Sequence, residues 1–203
     1  MSKAQKIVAY EIRAQDDDSY MLGEETYNPV STSDVWHFGR AGDPHPATCS
    51  ACGGKVNWQY VNPQYRVKKR RRDITATYDG YLLVSSRLHE ILKENGADSD
   101  DFLPLPSDAD YFCLRPKAAL SYSAAECQRR CDSCDQFADS VVPVPQFVAQ
   151  LAQPISSGVY RSSIEFGSVP LKSFCVVVGV NMGIALQSAS LRGLELGPIN
   201  AAA

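Results

Sequence analysis

Two pairs of cysteines carry the clearest chemistry in this sequence, Cys49-Ser-Ala-Cys52 and Cys131-Asp-Ser-Cys134. Two residues between thiolates let both sulfurs reach one ion at about 2.3 Å, the Zn–S bond length. Gly53 and Gly54 follow the first pair and permit the positive φ that turns backbone amides toward sulfur. Together the pairs predict one tetrahedral zinc site with Cys49, Cys52, Cys131 and Cys134 as ligands. Such pairs usually lie about 15 to 20 residues apart. Here a whole strand–helix–strand stretch intervenes, so the prediction requires that the two ends of an insertion meet. Two residues offer substitute ligands. Cys127 precedes Cys131 by four positions and could share a helical face with it, and His45 precedes Cys49 by four. A redox role would need a thiol activated at a helix N-terminus, whereas glycines and a strand-like segment follow the first pair. Cys113 and Cys175, in apolar strand-like contexts, read as ordinary buried thiols.

Four thiolates around zinc leave no open coordination position, so the site stabilises folding and activates no water. Apparent zinc-binding energies of about 10–16 kcal/mol in small modules exceed typical domain stability. The remaining sequence offers little catalytic equipment. His89-Glu90 begins like a metalloprotease H-E-x-x-H, but Lys93 occupies the second histidine position. No G-x-S-x-G, G-x-G-x-x-G or phosphate-binding loop is present. Three histidines in the chain, none beside a nucleophile, give little general-base capacity. Arg161 and Glu165 in VYRSSIEFGS are the most suggestive polar pair. On a strand they share one face, where the plain expectation is a salt bridge or a solvated edge. The chain therefore reads as a non-enzyme.

The run Arg66–Arg72 carries six positive charges in seven residues and could neutralise phosphates. Beside a zinc module it supplies the second functional reading, a zinc-ribbon nucleic-acid-binding protein. Acidic clusters at Asp16–Asp18, Asp98–Asp101 and Asp108–Asp110 oppose it, and the pI is near 5.6. With a net charge of only −3, nothing global drives the chain onto nucleic acid or an anionic membrane.

The elements that must position these residues follow from patterning. The chain has 203 residues and 44% apolar content, enough for a well-packed core. No apolar run reaches the roughly 18 to 20 residues of a membrane span. The N-terminal stretch lacks a signal peptide's apolar core, which with seven cysteines implies a reducing, cytoplasmic setting. Ile7–Ile12 reads as a first strand, and the segment through Trp36-His37-Phe38 leads into a Gly/Pro-rich loop. VNWQYVNPQYRV reads as a strand broken at Pro63. Tyr81–Val84, Ser86–Lys93 and Phe102–Pro106 read as strand, amphipathic helix and edge strand, with Asn95-Gly96 ending the helix. Cys175–Val178, Asn181–Ala189 and Leu194–Ile199 repeat that order, giving two β-α-β pseudo-repeat units. Gln146–Ala152 is a further helix candidate, and the tail Asn200–Ala203 is featureless. The fold class expected is α+β, with mixed sheets and short helices. It forms one domain over residues 1–203, with a zinc-ribbon-like module from 45–60 and 125–137.

This combination resembles the double-CXXCG motif immunity proteins of bacterial polymorphic toxin systems. The likeness rests on C-x-x-C-G at Cys49–Gly53, the second C-x-x-C at Cys131–Cys134, and the stretch from VYRSSIEFGS through LRGLELGPI. Asp135 stands where that family's pattern has glycine. The resemblance implies a small cytoplasmic protein that binds a cognate toxin and neutralises it. The acidic clusters are the expected contact surface for a basic nuclease toxin, and Arg66–Arg72 for an acidic one.

Overall fold

The computed structural model describes residues 6–23, 45–143 and 153–201. The expectations placed on Trp36-His37-Phe38 and the helix candidate Gln146–Ala152 lie outside the described residues. Eleven strands and two α-helices are present among them. The strands are β1 (Ile7–Ala14), β2 (Ile74–Ala76), β3 (Leu82–Ser85), β4 (Phe102–Pro104), β5 (Tyr111–Leu114), β6 (Ala119–Leu120), β7 (Glu126–Arg130), β8 (Phe137–Val141), β9 (Val159–Ser168), β10 (Ser173–Val178) and β11 (Leu194–Asn200). The helices are α1 (Ser86–Glu94) and α2 (Val180–Ser188). This is a mixed, sheet-dominated α+β architecture.

One sheet has seven strands in the order β11-β1-β10-β9-β8-β7, with β6 added in parallel beside β9. The other has four, in the order β2-β3-β5-β4. In β3–α1–β4 the two strands flank β5, each antiparallel to it. In β10–α2–β11 the two strands flank β1 in the same way. The return strands β4 and β11 sit at sheet edges, as the proline in each requires, since proline cannot donate to a central ladder. Asn200 belongs to β11 opposite Ile7, so the tail is less featureless than its sequence suggests.

Period-two alternation divides the apolar residues between three clusters. Val84 of β3 and Val176 and Val178 of β10 meet Leu88, Leu92, Met182 and Leu186 of the two helices in the central core. Leu83 points the other way, into a cluster with Tyr65, Val67, Tyr81 and Tyr111. Val177 likewise faces Val8, Phe166 and Ile199. Helix α1 starts where Ser85 Oγ accepts from the Leu88 amide at 3.3 Å, and it buries Leu88 and Leu92 while Glu90 and Lys93 stay in solvent. Truncating either leucine to alanine removes about 2–5 kcal/mol.

The expected strand over VNWQYVNPQYRV does not form; residues 56–67 are turns and irregular backbone. Asn57 Oδ1 accepts from the Gln59 amide at 3.1 Å, and Asn62 Oδ1 from Gln64 at 2.9 Å. Each asparagine closes a turn on its own backbone, and that local chemistry outweighs the β-propensity of the aromatic residues around it.

Candidate metal centre and the buried charges beside it

The two cysteine pairs meet. Their four sulfurs all lie within 4.8 Å of one another. Cys49 Sγ is 3.9 Å from Cys131 Sγ, and Cys52 Sγ is 3.6 Å from Cys134 Sγ. A tetrahedron with 2.3 Å Zn–S bonds has edges of roughly 3.8 Å, whereas a disulfide needs about 2.05 Å. The spacing therefore fits four ligands around one cation, and no pair is bonded to another.

Each pair sits on a short hairpin built the same way. In the first, Thr48 bridges Lys55, the Cys49 amide donates to Gly54 O at 2.8 Å, and the Gly53 amide donates to Cys49 O at 2.8 Å. In the second, on the turn joining β7 to β8, Cys131 N donates to Gln136 O and Asp135 N to Cys131 O, both at 2.8 Å. Gly53 has φ +74° and Asp135 φ +64°, so the residue after the second cysteine is left-handed in both. Asp135 fills that position without loss of the turn, because a short polar side chain tolerates it, and it pairs with Arg130 at 2.7 Å. The Gly54 amide donates to Cys52 Sγ at 3.4 Å. Gln136 Nε2 reaches across to Lys55 O at 2.8 Å and ties the two hairpins together.

The sulfurs differ in surroundings. Amides of Cys134 and Ser133 point at Cys131 and bring its thiol down to about 7. Burial pushes Cys52 up to about 12, and burial also raises Cys134. Thiols this close cannot all ionise alone; a dication between them removes that conflict.

Neither substitute ligand joins the cluster. Cys127 lies on β7, not on a helix, and its sulfur faces Ser140 Oγ at 4.0 Å. His45 is buried edge-on against Tyr60, with Nδ1 accepting from the Ala47 amide at 3.0 Å. Cys113 is fully buried on β5, and burial raises both it and Cys175 on β10.

The basic run proves to be largely paired with the very clusters that oppose it in sequence. Asp17 accepts from the Lys68 and Lys69 amides at 3.0 and 2.7 Å, and Lys69 Nζ meets Asp18 at 2.6 Å. Arg70 forks between Asp108 and Asp110 at 2.7 and 2.6 Å. Arg72 donates to Asp16 O at 2.7 Å. These contacts also anchor the loop against both sheets.

Arg161 and Glu165 form no ion pair with one another within 4.0 Å, and Glu165 is buried, so neither expectation for them holds. A β-bulge explains it. Glu165 pairs with Phe174 and Arg161 with Val176, so four positions on β9 are matched by two on β10. Ser162 Oγ accepts from the displaced Cys175 amide at 3.1 Å.

Sequence reasoning missed the buried charges behind the hairpins. Lys55 is 1% exposed, and its ammonium donates to the carbonyls of Asp79, Pro170 and Lys172. Glu165 Oε1 lies 3.4 Å from it, a charge contact without hydrogen-bond geometry. Burial raises Glu165 to about 7 and lowers Lys55. Arg115, 8% exposed, stacks over Tyr81 at 4.0 Å and near Trp58 at 5.5 Å. Nothing in spacing or periodicity marks a buried lysine or arginine. The proximity of Lys55 and Trp58 to the first cysteine pair was the one available hint.

The described residues thus define a sheet-dominated α+β protein bearing a four-cysteine cluster fit for a metal ion. No protein-family model matches the chain, and no curated protein matches it. None of the described helices is long and apolar enough to cross a membrane.

Proposed function

We propose that this chain is a cytoplasmic immunity protein that binds and neutralises a cognate bacterial toxin without catalysing a reaction, its two cysteine hairpins clamped by one structural zinc ion. The observation that carries the reading is the approach of four sulfurs to within 4.8 Å from pairs at opposite ends of an inserted sheet. Zinc is the ion preferred for such a set, since four thiolates in a compact tetrahedral arrangement match its ligand chemistry. A closed site acts as a scaffold. The immunity assignment adds the resemblance carried by the two motifs and the C-terminal stretch. The two strand–helix–strand segments, each flanking a third antiparallel strand, are read as a pseudo-repeat that lays down this scaffold.

The nucleic-acid alternative loses its main argument, because Lys68, Lys69, Arg70 and Arg72 already meet acidic side chains or carbonyls. The same pairing moves the expected toxin surface away from that run. Two measurements test the reading. Metal analysis of the purified chain should give one zinc per molecule. The toxin encoded beside this protein should co-purify with it as a stable complex. Absence of zinc removes the scaffold, and failure of the neighbouring product to bind removes the immunity assignment.

A further inference from the structure

At the junction of the two sheets lies a cavity of about 350 Å³, walled by β1 and β10 on one side and by the Tyr78–Leu82 and Leu114–Pro116 segments on the other. Three arginines line it, Arg13, Arg115 and Arg161, together with the acids Glu11 and Asp16, and Arg13 is paired with Glu11 at 2.6 Å. Among the described residues, neither Arg115 nor Arg161 has a carboxylate within 4.0 Å. Arg115 Nε and Nη2 are buried with no hydrogen-bond partner, and the same is true of Tyr81 Oη beside them. Arg161 makes one hydrogen bond through its side chain, to the Ser162 carbonyl at 3.1 Å.

Aromatic rings hold these cations where carboxylates ordinarily would. Arg115 lies over Tyr81 and Trp58, Trp58 contacts Phe174 at 4.6 Å between ring centroids, and Arg161 lies 4.5 Å over Phe174. A cation–π contact attracts the charge but takes up none of the N–H donors. A buried guanidinium with free donors is costly to leave so. The nearby acids do not supply the missing acceptor. Glu11 is engaged by Arg13 at 2.6 Å, Glu165 by Lys55, and Asp79 accepts from the Met21 and Leu22 amides at 3.0 and 2.9 Å. Lys55 and Lys172 are buried as well, their ammonium groups donating to backbone carbonyls. Burial, and after it the like charge of Arg115, presses Arg161 below its ordinary value.

The walls are held in place. The Arg115 amide donates to Asp101 O at 2.6 Å, and the Asp101 carboxylate accepts from the Lys117 amide at 2.9 Å, fixing the turn through Pro116. Gly80, at φ +80°, lets its loop lie against Lys172 and Ser173; a Cβ there would sit 2.5 Å from Lys172 O. The cavity is therefore shaped by packed backbone on both sides.

We infer that Arg115 and Arg161 form a binding site for a phosphate-class oxyanion, either the free ion or the phosphoryl group of a small aromatic ester. Two guanidiniums supply paired, planar N–H donors suited to phosphate oxygens. Tyr81 Oη adds a hydroxyl, and the Tyr78, Tyr81 and Phe174 rings give an aromatic substituent a surface to lie on. The site is separate from the cysteine cluster and does not depend on the immunity reading.

Calorimetric titration of the full-length chain with inorganic phosphate, and separately with phenyl phosphate, tests this at ionic strength fixed by sodium chloride. Saturable binding at one site per chain, with Kd of about 1 mM or tighter, is expected for at least one probe. Tighter binding of phenyl phosphate assigns an ester, and equal binding assigns the free ion. Arg161→Met should weaken binding at least tenfold, whereas Arg130→Gln, on the exposed β7–β8 hairpin, should leave it unchanged. As a measurement on the unaltered protein, phosphate should slow phenylglyoxal modification of Arg161, read by peptide mass spectrometry. No saturable heat with either probe, unchanged affinity in Arg161→Met, or no protection of Arg161 would each overturn the site.

Discussion

The two cysteine hairpins share one backbone frame and differ in nearly everything around it. The first uses Gly53 at the left-handed position and continues into Lys55, whose ammonium is enclosed by three carbonyls from two segments. The second uses Asp135 and stands at the end of β7, whose five residues are all exposed. Cysteine spacing and the pattern of amide donors, rather than glycine, thus define the hairpin. What the surroundings change is the chemistry of the sulfurs, with Cys52 driven up by burial and Cys131 brought down by amides.

The comparison can be broken most directly at the sulfurs. If the hairpins contribute equally, Cys49→Ser and Cys131→Ser should each abolish stoichiometric zinc and cost stability on the order of 10 kcal/mol, read by metal analysis and chemical unfolding. Retention of zinc by either variant would make one hairpin sufficient. The next largest effect concerns the metal-free chain. At pH 8 Cys131, near 7, is mainly thiolate, while Cys52, near 12, is protonated. Pulsed iodoacetamide labelling should modify Cys131 faster by about 100-fold or more. The sign of the linkage follows: a lowered thiol pKa favours the folded form above the ordinary thiol value, and that contribution disappears as pH falls through about 7.

A smaller effect separates the two left-handed positions. Gly53→Ala should destabilise by about 1 kcal/mol in urea unfolding, because alanine is strained at positive φ. Asp135→Gly should change stability by no more than about 0.5 kcal/mol, since relief of the backbone is offset by greater freedom of the unfolded chain and loss of an exposed ion pair. Equal effects at both sites would show that the surroundings, not the turn, set the cost.

Much of this arrangement was legible in the residues. The C-x-x-C spacing located all four sulfurs, and strand–helix–strand order was readable from Leu88 and Leu92 on one helix face and from the apolar run ending at Val178. Placement within the sheets was not, because neither β1 nor β5 is adjacent in sequence to both strands it joins. Failures occurred where a local or distant interaction overrode pattern. Asn57 and Asn62 made turns of a strand-like stretch. A bulge separated Arg161 from Glu165. The opposed charge blocks proved to be partners, since Asp17, Asp18, Asp108 and Asp110 grip the basic loop from 38 to 52 positions away.

The four-stranded sheet lies wholly between the two cysteine hairpins, whose facing sulfurs are 82 positions apart. As the chain leaves the ribosome, Cys49 and Cys52 emerge as a bidentate half-site and must wait for that sheet before Cys131 and Cys134 arrive. Ring closure over so long a span carries a substantial entropic penalty unless the intervening chain is already folded. Closure of the four-sulfur cluster then waits on the inserted sheet, which brings both ends together.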